Sequence, residues 1–75
     1  MSIYDQLQFN PALPRSRKCG QVCGGWAEIW WNSGMWFGVW SLKHRDRDHQ
    51  YVRAGGKNFE ETRIELLDGI AIAVL

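Results

Sequence analysis

Two cysteines and two histidines are the side chains whose types and spacing could do chemistry in this chain. Three residues separate Cys19 from Cys23, and His44 and His49 follow after a gap of twenty residues. Two thiolates and two imidazoles suit a closed tetrahedral zinc site. A standard zinc finger has only about twelve residues between its ligand pairs. Zinc is therefore a minor hypothesis beside a buried thiol pair with solvated histidines, and we expect no other cofactor.

Catalysis is not predicted from these residues. A covalent catalyst needs a nucleophile, a base and an orienting group that converge in a pocket. Both histidines instead lie in one charged segment, residues 43–49. His44-Arg45-Asp46 resembles part of a kinase catalytic loop, but the chain has no glycine-rich phosphate loop to accompany it. We expect a protein that is not an enzyme.

The element that dominates the chain is aromatic. Residues 26–40, WAEIWWNSGMWFGVW, contain all five tryptophans. A two-residue turn at Ser33-Gly34 predicts a β-hairpin in which Trp30 faces Phe37. Because side chains alternate along a strand, one face then carries Ala27, Ile29, Trp31, Trp36 and Trp40, and the other carries Trp26, Glu28, Trp30, Phe37 and Val39. A three-residue loop, 32–34, with a bulge is an alternative that changes this pairing.

A third strand follows the charged segment. Residues 49–54 alternate, with Tyr51 and Arg53 on one side and Gln50 and Val52 on the other. The glycine pair at 55–56 is expected to end this strand.

The last eighteen residues, 58–75, allow two interpretations. Asp68-Gly69 between apolar runs is typical of a hairpin turn. A helix is favoured, because Asn58 and Glu61 form a capping box at its start. It also gathers one apolar stripe: Phe59, Leu66, Leu67, Ile70, Ala71, Ala73 and Val74. Gly69 costs such a helix about 1 kcal/mol, which burial of the stripe exceeds.

Together the elements predict an α+β fold: a three-stranded antiparallel β-meander with one C-terminal helix packed on one face, preceded by an irregular N-terminal arm. The arm is residues 1–18, and the single small domain is residues 19–75. One helix covers only one face of the meander. The other aromatic face needs self-association, a partner, or a cover from the arm's apolar side chains, which are Ile3, Tyr4, Leu7, Phe9 and Leu13.

Composition fits one soluble domain. The chain has 75 residues, of which 45% are hydrophobic and 23% charged. No apolar run approaches the roughly 20 residues that cross a bilayer, and no export signal opens the sequence. We expect a cytoplasmic protein with reduced cysteines and no membrane partner. Residues 1–57 hold eight Lys/Arg against four Asp/Glu, whereas residues 58–75 hold one against four, so the molecule should have a basic part and an acidic part.

These features predict a protein-binding module, most simply a stand-alone inhibitor or adaptor. Small chains without catalytic motifs occur among phage and mobile-element proteins, including anti-CRISPR proteins, although no motif assigns this one to them. The predicted partner-binding residues are Trp26, Trp30, Phe37, Arg45, Arg47 and Arg53, with an acidic helix ridge of Glu61, Glu65 and Asp68.

Nucleic-acid binding is the alternative function. Aromatic side chains could stack bases, and the basic loop and arm could hold phosphates. The predicted order of three strands and a helix is similar to that of AP2-type and integrase arm-binding domains, although none of their motifs is present. Asp46 and Asp48 interrupt the basic loop, which weakens this alternative.

Overall fold

The computed structural model describes residues 17–74. Four strands and one helix follow one another: β1 (Arg17–Val22), β2 (Gly25–Asn32), β3 (Met35–Ser41), β4 (Gln50–Gly56) and α1 (Phe59–Ala73). The strands form one antiparallel sheet in the order β1-β2-β3-β4. The α+β prediction is confirmed, whereas the prediction of three strands is wrong because β1 adds a fourth.

Strand β1 escaped prediction because its sequence has little apolar alternation. Only Val22 contributes a large buried aliphatic side chain to the core. The strand is held to β2 by the ladder and by a two-residue turn in which Cys23 (φ 52°) and Gly24 (φ 80°) both have positive φ. Such a turn matches the right-handed twist of its strands.

Part of the predicted N-terminal arm belongs to the sheet. Arg17 and Lys18 are the first residues of β1. The remainder of the arm, with the five apolar side chains predicted to cover the second sheet face, lies outside the described residues.

The aromatic hairpin has the predicted register. Trp30 pairs with Phe37 and Ala27 pairs with Trp40. Ser33 (φ 52°) and Gly34 (φ 84°) form the two-residue turn, so the alternative with a three-residue loop is wrong.

Strand β4 differs from its prediction in two respects. It runs through Gly56, so the glycine pair does not end it. A register shift between Trp40 and Ser41 makes Gln50 the partner of Ser41. This β-bulge places Gln50 on the same sheet face as Arg53, where the simple alternation had separated them.

Helix α1 is confirmed, and the Asp-Gly hairpin is therefore wrong. The Asn58 side chain accepts a hydrogen bond from the Glu61 amide at 2.8 Å, as an N-cap requires. The buried side of the helix is Thr62, Leu66, Leu67 and Ile70, whereas Ala73 and Val74 are exposed. The predicted stripe was therefore too long at its C-terminal end. Within the part of the chain that the structure describes, no helix has the length and apolarity that crossing a bilayer requires.

The core lies between α1 and one sheet face. Its buried members are Val22, Ala27, Ile29, Trp40, Leu66, Leu67 and Ile70. The Trp40 indole donates to the Val22 carbonyl at 2.8 Å, which satisfies the one polar atom that this large side chain brings into the core.

Two glycines set how closely the helix approaches the sheet. A β-carbon at Gly69 would lie 2.6 Å from Cγ1 of Val52, and one at Gly38 would lie 3.1 Å from Cδ2 of Leu66. The glycine that weakens the helix in the sequence is thus the residue that lets it pack on β4.

Candidate functional site on the open sheet face

The sheet face opposite α1, here called the open face, is the candidate site. Because side chains alternate, it is formed by every second strand residue. Its members include Arg17, Cys19, Trp26, Glu28, Trp30, Phe37, Val39, Ser41, Gln50 and Arg53. Among the described residues, no strand or helix packs over this face.

The loop between β3 and β4, residues 42–49, folds back over one end of the open face. The His44 ring stacks on Trp26, with ring centroids 4.2 Å apart and planes 23° apart. His44 Nε2 also lies 3.0 Å from Cys19 Sγ. Arg45 adopts a left-handed conformation (φ 57°) in this loop. His44 remains solvent-exposed, and its ring and Nε2 also hold the loop against the sheet.

Asp46 organises the same loop from within. Its Oδ1 accepts hydrogen bonds from the amides of Asp48 and His49 at 3.0 and 3.2 Å, and its Oδ2 lies 3.0 Å from Nδ1 of His49. Desolvation raises the pKa of the Asp46 carboxyl, but these hydrogen bonds outweigh it and hold the pKa below its usual range. Asp46 thus places a negative charge within the basic loop, and its hydrogen bonds stabilise the conformation of the loop.

A groove of about 660 Å³ lies between the loop and the open face. Its lining includes three tryptophans and four arginines: Trp26, Trp30, Trp31, Arg17, Arg45, Arg47 and Arg53. Glu28 also lines it, and Nε of Arg17 donates to its carboxylate at 2.7 Å. The groove therefore combines aromatic surface with positive charge that its own carboxylates only partly balance.

The aromatic rings of the open face are paired. Trp30 and Phe37 stack with centroids 5.8 Å apart and planes 23° apart, and both are half-buried. Trp26 has one ring face against His44. Within each pair, one face of each ring contacts the other ring. The apolar edges and the outer faces remain available to a ligand.

The Cys19–His44 pair has the components of a nucleophile and its base, but not the electrostatics. Burial raises the pKa of the Cys19 thiol, and the Glu28 carboxylate raises it further, against smaller opposite effects of Arg45 and Arg17. A reactive cysteine needs the opposite shift, because the thiolate is the nucleophile. The arrangement favours a protonated thiol that contacts the imidazole and positions the loop.

The predicted zinc ligands are only half assembled. Cys19 and His44 meet, whereas Cys23 lies in the turn between β1 and β2 and His49 pairs with Asp46. Across residues 17–74, no three His, Cys, Asp or Glu side chains are grouped as a metal ion would require.

The predicted partner-binding residues fall on two separate surfaces. Trp26, Trp30, Phe37 and Arg53 lie on the open face, and Arg45 and Arg47 reach its groove from the loop. Glu61, Glu65 and Asp68 are exposed on α1, which packs on the other side of the sheet. The structure does not bring the acidic ridge to the aromatic residues.

Three features of the site were missed from the sequence. The predicted hairpin register placed Glu28 on this face without assigning it to the site, although it is the only carboxylate in β2 and faces Cys19 across the ladder. Gln50 joins the site only through the bulge. The stacking of His44 on Trp26 depends on how the loop folds back, and no pattern in the sequence predicts that path.

Comparison with protein-family models, with curated proteins and with solved structures found no match to this chain. The fold and the site define a small α+β domain in which a helix packs on one sheet face and the other face carries an arginine-lined aromatic groove.

Proposed function

We propose that this protein is a small non-catalytic protein-binding module, an inhibitor or adaptor, whose partner docks on the open face. The observation that carries the proposal is the half-buried Trp30–Phe37 pair beside an arginine-lined groove, on the face that α1 does not cover. Partly exposed aromatic side chains on a sheet face without a covering element are candidates for an interaction site.

The composition of the groove supports a protein partner. Binding hot spots are enriched in tryptophan, tyrosine and arginine, and lysine is depleted at interface cores. All the cationic side chains that line this groove are arginines, and three tryptophans line it with them.

The groove is also held in shape before any ligand binds. Its floor is a continuous antiparallel sheet, and His44 and Asp46 fix the loop that forms its wall. A preformed site loses less conformational entropy on binding. The acidic ridge of α1 is left out of this docking surface, because it lies on the other side of the sheet.

Nucleic-acid binding is the second candidate, favoured by Arg45, Arg47 and Arg53 around one groove, since arginine also binds phosphate. The paired rings count against it, because base stacking uses open ring faces.

One residue on the open face and one control residue on the helix test the proposal. Trp30 lines the groove, whereas Ile72, which is 75% exposed, lies on α1 on the other side of the sheet. With a partner isolated from the natural host by the tagged chain, Trp30→Ala should weaken binding by about 30-fold or more, as expected for a hot spot. Ile72→Ala should change the dissociation constant less than about twofold.

The reverse pattern, in which Ile72→Ala weakens binding and Trp30→Ala does not, would reject the open face as the docking surface. Saturable, salt-sensitive binding of oligonucleotides that depends on Trp30 would instead favour the second candidate.

A further inference from the structure

The groove contains arginines whose charge is not balanced by neighbouring carboxylates. Glu28 is engaged by Arg17, and Asp46 is engaged by the loop amides and by His49. Within residues 17–74, Arg45, Arg47 and Arg53 form no ion pair with an acidic side chain. Like charges gathered in one concave site favour an anionic ligand.

Neighbouring contacts also fix these three arginines beside the groove. Arg53 donates to the Gln50 side chain at 3.2 Å, a contact that exists because the β-bulge brings Gln50 to this face. Arg45 and Arg47 flank Asp46 in the loop that His44 seats on Trp26. Their backbone is therefore fixed beside the groove.

We propose that the groove is an anion-binding subsite for carboxylates of an acidic segment in the partner protein. Guanidinium groups bind carboxylates through paired, charge-assisted hydrogen bonds, which makes arginine the suitable cation. An apolar side chain of the same segment packs beside them on Trp30 and Phe37. This inference rests on the proposed function and specifies the chemistry of the partner.

An acidic peptide fits the observations better than a nucleic acid strand. A strand needs stacking platforms and a continuous basic track. Here Trp26 and Trp30 already stack on His44 and Phe37, and Asp46 interrupts the basic loop. A peptide needs only a few carboxylates placed opposite the arginines, with an apolar residue between them.

The test is a titration of the full chain, followed by tryptophan fluorescence, with three probes at low salt. They are a short glutamate-rich peptide containing one leucine, the same peptide with glutamine for glutamate, and an oligothymidylate of equal charge. We expect saturable binding of the glutamate peptide only. Each of Arg45→Gln, Arg47→Gln and Arg53→Gln should weaken it by about 3- to 10-fold, within the typical range for the loss of one hydrogen-bonded contact.

Arg63→Gln is the matched control, because it removes the same charge from α1, where Arg63 pairs with Glu60. It should leave peptide affinity unchanged. An absence of saturable peptide binding, equal binding of the glutamine peptide, tighter binding of the oligothymidylate, or an equal loss in Arg63→Gln would each overturn the inference.

Failure of the inference is distinguishable from failure of the proposed function. If the three groove variants bind the natural partner normally while Trp30→Ala does not, the acidic-segment inference is wrong and the docking surface stands. If Trp30→Ala also binds normally, the docking surface itself is wrong.

Discussion

At the scale of single residues, the contact between Cys19 and His44 connects the loop to the sheet. Cys19 is only 6% exposed. Burial raises the pKa of its thiol, and the sulfur contacts Nε2 of His44 at 3.0 Å. A residue pair whose types suggested metal binding or catalysis thus has a structural explanation in the geometry of the open face.

The Cys19 thiol should make stability depend on pH in the alkaline range. Its pKa in the folded chain is raised above the ordinary value of 9.0, so the protonated thiol stabilises the fold below pH 9.0. That contribution is lost as the pH rises through the folded-state pKa. Urea unfolding of the native chain and of Cys19→Ser, compared below and well above pH 9.0, should show a steeper alkaline loss for the native chain. Parallel losses would contradict this account.

At the scale of elements, the position of the loop of residues 42–49 depends on the stacking of His44 on Trp26. His44→Ala removes both the stack on Trp26 and the contact with Cys19. The amides of Asp48 and His49, which donate to Asp46, should then exchange with solvent about tenfold faster or more, because local opening becomes easier.

The control for this loop variant is internal to the same hydrogen-exchange measurement. Core amides such as that of Ile29 report global unfolding and should be little affected by His44→Ala. If the core amides accelerate as much as the loop amides, His44 supports the whole fold and does not act on the loop alone.

Helix α1 packs closely because residue 69 is glycine. Gly69→Ala improves helix propensity by about 1 kcal/mol, but its β-carbon would meet the short, branched Val52 side chain at 2.6 Å. We expect a net loss of about 1 to 3 kcal/mol in the free energy of unfolding, as for other overpacked cores. In a Val52→Ala background the same substitution should cost clearly less. Equal costs in both backgrounds would show that the close approach does not matter.

Local sequence signals predicted those elements that are determined by local chemistry. The two-residue turn at Ser33-Gly34 fixed the hairpin register, and the Asn58 cap located the start of α1. Strand β1, with one large core side chain, is instead specified by pairing with β2, which a single segment does not reveal. The bulge near Ser41 likewise arises from the pairing of β3 with β4.

The candidate site was likewise predictable only where local alternation along a strand determines it. The hairpin register alone placed Trp26, Trp30 and Phe37 on one face. The loop residues reach that face through tertiary contacts of His44. The acidic ridge was predicted to belong to the site only because of its composition. Alternation along strands is a local property, whereas the path of a loop across a sheet is not.

At the scale of the whole molecule, the charge asymmetry of the sequence appears as two surfaces of opposite charge. The groove side of the sheet carries the arginines, and the exposed side of α1 carries Glu61, Glu65 and Asp68. An acidic partner is attracted to the groove and repelled by the helix, which orients its approach. Association should therefore slow as salt is raised, and stopped-flow measurements with the isolated partner should show a smaller salt effect for Arg47→Gln than for Arg63→Gln.

Site-specific photo-cross-linking in the natural host shows most directly whether the open face is the docking surface. A photoreactive side chain is introduced at Phe37 on the open face in one variant, and at Ile72, which is 75% exposed on α1, in another. We predict a discrete cross-linked protein from position 37 that Trp30→Ala abolishes, and none from position 72. Cross-linking from position 72 with none from position 37 would contradict the account.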